Sequence, residues 1–137
     1  MSDIKISVEE RAGRRCASSG SKWEPIMGYS RAVRSGSTIA VTGSVGVNAD
    51  GTYSKSLGEQ TTRSLAIIQA AVEALGGKIE HVIRTRMYVT DVSKWEEVAR
   101  VHGSIFKDIR PATTIVEVAR LIDGEALIEI EADAIVA

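Results

Sequence analysis

The feature that most constrains this chain is one amphipathic stretch with a marked beginning and a marked end. Ser56 and Glu59 stand three apart, the spacing of a capping box at a helix N-terminus. Leu57, Leu65, Ile68, Val72 and Leu75 then recur at near-helical intervals, with Arg63 and Glu73 on the wet side. Gly76-Gly77 supplies the left-handed backbone that ends a helix. A helix with a single apolar stripe draws most of its stability from the layer it covers, so the rest of the chain has to supply that layer.

The flanking segments are predicted to build it from strands. Residues 4–8 alternate apolar and polar side chains, as a short strand with one buried face does. Residues 16–27 contain Ser18, Ser19, Gly20, Ser21 and Pro25 without a period and read as a surface loop, in which Trp23 is unexpected. Residues 29–33 and 38–42 read as two strands turned at Ser35-Gly36, and Asn48, Asp50 and Gly51 mark a further turn. In residues 82–90, Ile83, Thr85, Met87 and Val89 point one way, and Val82, Arg84, Arg86 and Tyr88 the other, which makes one face basic. Ser93 and Glu96 repeat the capping-box spacing. Trp95, Val98, Ala99, His102, Ile105 and Phe106 then line a second helical stripe. After Pro111, residues 113–119 and 126–134 read as a closing hairpin around Asp123-Gly124.

Strands, helix, strand, helix, strands is the order of an α+β fold with two helices on one face of a mixed sheet. The 137 residues fit one domain, 1–137. The sheet's other face then meets water or another subunit. The last strand sets Leu127, Glu129, Glu131 and Asp133 on one side, opposite in sign to Arg84 and Arg86. That face is expected to be polar and partly buried, with acids and arginines paired across strands or subunits.

Composition removes several function classes. Seventeen basic against eighteen acidic residues leave a net charge of -1, so no positive field exists to hold a phosphate backbone. Aromatic residues are only 4% of the chain, too few for a stacking platform, and no nucleic-acid partner is expected. Cys16 is the only cysteine, which excludes an internal disulfide and a thiolate zinc site and suits a reducing, cytoplasmic setting. No apolar run is long enough to span a bilayer, and the charged N-terminus lacks a signal-peptide core, so no membrane partner is expected. His102 on an apolar stripe reads as a packing histidine, His81 as a solvent-facing one, and neither has the neighbours of a metal site. No Gly-x-Ser-x-Gly elbow, Walker or Gly-x-Gly-x-x-Gly pattern occurs.

Three separated segments carry a family likeness. Gly28-Tyr29-Ser30-Arg31 is followed by Val41-Thr42-Gly43. Next comes the run from Arg110-Pro111-Ala112-Thr113-Thr114 to Val118, and last Ile128-Glu129-Ile130-Glu131-Ala132. Together they resemble the signatures of the Rid (reactive intermediate deaminase, YjgF-like) family. The resemblance implies a chorismate-mutase-like sheet backed by two helices, a homotrimer whose sheets form a barrel, and ligand clefts between subunits. It implies hydrolysis of an enamine or imine metabolite without metal or cofactor; a non-catalytic, ligand-binding regulator is the alternative. A ribonuclease role, a label the family has also carried, is disfavoured by the neutral charge.

The resemblance places Glu129 on the water-orienting carboxylate, Tyr29 on the cleft tyrosine, and Gly43 on the glycine whose backbone N–H faces substrate. Thr42 keeps a hydroxyl where serine is common. The departure is Thr113, at the place of the arginine that grips the substrate carboxylate; a hydroxyl cannot supply that bidentate, charge-assisted fork. Ile115, where some members carry cysteine, departs again. Arg86 and Arg110 are the candidates to replace the missing clamp, and Trp23 the candidate to line the pocket.

Overall fold

The computed structural model describes residues 3–137. Seven strands form one mixed sheet in the order β1-β2-β3-β4-β7-β5-β6: β1 (Ser7–Arg11), β2 (Arg14–Ser18), β3 (Ala32–Ser35), β4 (Thr38–Val45), β5 (Val82–Val89), β6 (Ala112–Glu117) and β7 (Ile128–Ile135). Three helices accompany them: α1 (Trp23–Met27), α2 (Leu57–Ala74) and α3 (Trp95–Phe106).

The marked stretch forms α2 as its ends dictate. Ser56 is the N-cap, and its Oγ accepts from the Glu59 N–H at 3.2 Å. At the other end Gly76 takes φ +85° and the Gly77 N–H donates back to Val72 O at 2.9 Å, closing the last turn. Leu65, Ile68, Val72 and Leu75 are buried against the sheet. Gln60 is buried as well and fully engaged: Nε2 donates to Ser54 O and Glu125 O, and Oε1 accepts from Leu127 N–H at 2.8 Å. One side chain thus ties the helix to the chain entering β7.

Several expectations are corrected. The N-terminal strand lies at Ser7–Arg11 rather than 4–8, in a hairpin with β2 whose turn, Ala12-Gly13, has positive φ at both residues. Alanine is a poor signal for that turn, so the hairpin is not marked in the residues. The supposed loop 16–27 instead ends β2 and forms α1, wound around the buried carboxylate of Glu24 and closed by Gly28 at φ +75°. The second capping box does not form. Asp91 caps a 3-10 turn by accepting from the Ser93 N–H and hydroxyl, and α3 starts only at Trp95, which is half exposed, as is Ala99 outside the buried stripe.

The largest correction concerns the C-terminal hairpin. β6 pairs parallel to β5 on the outer edge, while β7 inserts antiparallel between β4 and β5. β5-α3-β6 is therefore a crossover unit, in which a helix brings the chain back to run parallel. Two strand-like runs with a turn between them look the same in sequence whether they pair or part.

The alternation of β5 holds from Arg84 onward but reverses before it. The register with β7 steps from Val82↔Ala134 to Arg84↔Asp133, which leaves Ile83 as an extra residue. This bulge turns Ile83 outward, 50% exposed, and lets Val82 take the buried place. Beneath α2 and α3 the sheet buries Ile39, Val41, Met87, Val89, Ile128, Ile130, Ala132 and Ala134. Its other face is polar, with Arg86 Nη1 lying 3.3 Å from Asp133 Oδ2 and 3.7 Å from Glu131 Oε1. The Tyr88 hydroxyl donates to Glu131 Oε1 at 2.7 Å. The expected acid-arginine pairing across strands is present. Among the described residues no helix is long and apolar enough to cross a membrane.

Candidate functional site

The site starts from a defect in β4. Pairing with β7 passes from Val41↔Ala132 to Ser44↔Ile130, so Thr42 and Gly43 together face the single residue Glu131. The bulge bends the strand end away from a regular ladder and opens a cleft of about 950 Å³. Trp23 of α1, Tyr29, Arg31, Thr42, Gly43 and Glu129 line it, together with residues 3–5, Arg63 and Ile67 of α2, and Ile122 of the loop before β7.

Each lining group has a physical reason for its place. The Thr42 hydroxyl donates to Ser30 O at 2.6 Å and its N–H to Arg31 O at 2.9 Å, which pins the segment that carries Tyr29. Gly43 has no room for a side chain, because a Cβ there would overlap the carboxylate of Glu129. The Glu129 carboxylate therefore rests on bare backbone. Burial pushes its pKa up and Glu131 adds to that, while Arg31 opposes the rise without cancelling it.

Arg31 organises the wall, and no role was predicted for it. It is 6% exposed, and its donors are all directed at the protein: Nη1 to Gly43 O (2.9 Å) and Ser44 Oγ (3.2 Å), Nε to Ser19 Oγ (3.2 Å) and Nη2 to Tyr29 OH (3.4 Å). Nη2 also lies 3.7 Å from Glu24 Oε2, and the guanidinium sits over the Tyr29 ring at 5.5 Å. Burial alone would raise the Glu24 pKa, but hydrogen bonds from Ser18 and Ser19 and the charge of Arg31 outweigh it and hold the carboxyl below its usual value. The only sequence signal was a charge just ahead of the apolar pair Ala32-Val33 in a strand later found buried at that end.

The candidates divide into two sets. Trp23, Tyr29, Thr42, Gly43 and Glu129 converge on the cleft; Thr113, Arg86 and Arg110 do not line it. Thr113 sits on the edge strand β6, where its hydroxyl pairs with the Thr85 hydroxyl and reaches Thr85 O at 3.3 Å. Thr85 in turn meets His102 Nε2 at 2.9 Å, and the imidazole packs on Phe106 with ring centroids 4.5 Å apart. His102 is thus a packing histidine with a hydroxyl partner, and burial lowers its pKa. Arg86 is held by Asp133 and Glu131, and Arg110, at φ +54°, donates Nε–H to Lys107 O at 3.0 Å. His81 accepts the Lys78 N–H through Nδ1 at 3.0 Å, and Cys16 is buried in β2. Among the described residues no cluster of three His, Cys, Asp or Glu side chains is placed to hold a metal.

The raised pKa of Glu129 fixes the sign of a pH effect. The folded state holds the proton more tightly than the unfolded chain, so this carboxyl costs stability as pH rises from the ordinary carboxylate value through the raised one. Glu129→Gln is therefore expected to raise the melting temperature at neutral pH and leave it unchanged in acid. Thermal melts at the two pH values check this, and an equal shift at both would contradict it.

Comparison with known proteins agrees with this architecture. The family model described as endoribonuclease L-PSP matches residues 19–136. An uncharacterised protein of Streptomyces coelicolor is 34% identical over 123 residues, 88% of this chain and 90% of its own length. A Salmonella typhimurium protein named 2-iminobutanoate/2-iminopropanoate deaminase is 32% identical over 111 residues, 78% of this chain and 86% of its own. The crystal structure of a Mycobacterium tuberculosis member of the YjgF/YER057c/UK114 family superposes with a TM-score of 0.84 at 45% identity, covering 90% of this chain and 99% of the other. With a family match over most of its length, a shared seven-stranded fold and full-length relatives above 30% identity, the chain belongs to the endoribonuclease L-PSP family, also known under the names YjgF, RutC and Rid.

Proposed function

We propose that this chain is a single Rid domain that assembles as a homotrimer with chorismate-mutase-like sheet packing, and that each cleft binds a small carbonyl, imine or enamine metabolite and hydrolyses it without a cofactor. The observation that carries the reading is the Glu129 carboxylate laid against the bare backbone of Gly43 in an open cleft. The name of the Salmonella relative supports the reaction type. The division of the candidates supports an inter-subunit site: Thr113 on the edge strand β6, and Arg110 just before it, are separated from β4 by β7 and β5, so a second copy would have to bring them to the cleft.

In the proposed step Glu129 takes a proton from water as the oxygen adds to the imine carbon; the carbon–nitrogen π electrons move to nitrogen, which takes that proton from Glu129. The carbinolamine then collapses as Glu129 relays its hydroxyl proton to nitrogen: the carbonyl forms, the carbon–nitrogen bond breaks and ammonia leaves. A carboxylate more basic than usual suits that proton transfer. In this reading the Gly43 N–H and the Tyr29 hydroxyl, both on the cleft wall, polarise the substrate.

Two tests follow from the geometry. 2-Iminopropanoate generated in situ is expected to decay no faster with the wild-type chain than without it, and faster with Thr113→Arg, since the arginine is long enough to leave Thr85 and extend past the exposed edge. Rapid wild-type turnover would overturn the altered substrate range. No carboxylate affinity in the variant would mean that the cleft itself has diverged. Glu131→Lys puts a cation beside Arg86 on the polar face and is expected to lower both the assembly size by light scattering and the melting temperature; no change in either would count against a buried polar face.

A specific observation favours the alternative of a non-catalytic binder. Thr113 is not merely a lost arginine, because its hydroxyl is built into the chain of bonds linking Thr85 and His102. Ligand binding with no turnover of any imine would select this alternative.

A further inference from the structure

The cleft's charges are already spoken for. Two guanidinium groups line it, and each already faces a carboxylate of the same subunit. Arg31 directs its donors at Gly43 O, Ser44, Ser19, Tyr29 and Glu24. Arg63 donates Nε–H to Val47 O at 2.9 Å and pairs through Nη1 with Asp3 Oδ1 at 2.5 Å. The two lining lysines are exposed at the rim, and Lys22 sits over the Trp23 ring at 5.0 Å. A hydrated ammonium on a flexible stem is a point charge and not a fork for a planar anion. An entering carboxylate would also lose its hydration beside Glu129 with no unpaired guanidinium to replace it.

What remains open is neutral and directional. The Tyr29 hydroxyl accepts from Arg31 Nη2, which leaves its own proton to be donated. Glu129 offers a carboxyl on the other side. That pair fits a neutral C=O or C=NH group with an adjacent N–H. The mouth is apolar: Met27 and Ile122 line it while 61% and 72% exposed, beside Trp23. Large apolar side chains left that exposed around a cleft mark a contact surface.

Resting on the proposed cleft function, we infer that the ligand is an uncharged carbonyl or imine compound with an apolar or aromatic tail, of the amide or ketone kind, and that carboxylates are rejected. The test uses matched pairs on the full-length 15N-labelled protein: phenylacetamide against phenylacetate, and acetamide against acetate, at low and high salt. The Gly43 amide and Trp23 indole signals report occupancy.

Phenylacetamide is expected to bind at least ~10-fold more tightly than phenylacetate, more tightly than acetamide, and equally at both salt concentrations. Phenylacetate binding as tight as the amide at high salt would overturn the inference while leaving the cleft reading intact, since a guanidinium would then have to reach the site from outside the subunit. Acetamide binding as tightly as phenylacetamide would overturn the apolar tail. If no compound of either pair moves the Gly43 or Trp23 signals, the cleft reading fails and the ligand class with it.

Discussion

Gly46→Ala is expected to cost about 3 kcal/mol of stability, a fall of roughly 10 °C in Tm, whereas Gly43→Ala three residues earlier is expected to cost little and abolish ligand binding. The two glycines differ in what a methyl group would meet. At Gly46 it would overlap Gln60 O and lie 2.7 Å from Gln60 Cα, which is helix backbone. Relief requires α2 to lift from the sheet, and Gln60 also holds Ser54, Glu125 and Leu127, so the displacement would spread to the entry of β7.

At Gly43 the methyl group would meet the carboxylate end of Glu129, a flexible tip that can swing away. The fold survives that movement, but the group proposed to orient water no longer sits on the backbone. Urea unfolding of both variants, with ligand titration of the Gly43 variant, separates the outcomes. Equal destabilisation by the two substitutions would refute the distinction.

Arg31→Met is expected to destabilise the protein by about 3–5 kcal/mol at neutral pH, although the new side chain is similar in length and apolar. The loss comes less from the pair itself than from what removal leaves: Glu24, 5% exposed, keeps a charge with no cation beside it. Gly43 O and Ser44 lose a donor as well. In the wild type the Glu24 pKa is depressed, so its stabilising contribution is present above the ordinary carboxylate value and fades as pH falls through the depressed one. Without Arg31 the hydrogen bonds from Ser18 and Ser19 still oppose burial, so the loss of stability on acidification is expected to shrink in the variant. Adding Glu24→Gln to Arg31→Met is expected to recover most of the loss. Denaturant unfolding at neutral and mildly acid pH checks both the weaker acid dependence and the recovery, and a double variant no more stable than Arg31→Met would refute the account.

How much of this could be read from the residues depends on whether the signal was local. α2 was legible because its cap, its stripe and its glycine stop lie within one continuous segment. The paired polar face was legible because alternation in β5 and β7 put opposite charges on one side, and adjacent strands made them meet. Partnership between strands was not legible: residues 113–119 and 126–134 carry the same pattern whether they form a hairpin or flank β5 from either side. Nor was the phase of Ile83, since a bulge is decided by the partner strand. Residues quoted for the family likeness placed Tyr29, Thr42, Gly43 and Glu129, and these four do share the cleft. Arg31 stands in the same segment as Tyr29, but what distinguishes it is its set of partners twelve and thirteen residues away, which no local pattern reveals.

The bulge in β4 also sets how this gene can change length. Before it Ile39 and Val41 face the helices, and after it Ser44 and Gly46 are the buried residues. Loss of one codon at Thr42 or Gly43 would restore strict alternation. Ser44 and Gly46 would stay inward under α2, but the bend that seats Glu129 on Gly43 and opens the cleft would be lost. A deletion here would thus strike the cleft and spare the core, so related chains that use the cleft should vary in the length of their loops while keeping the spacing from Ile39 to Gly46 fixed.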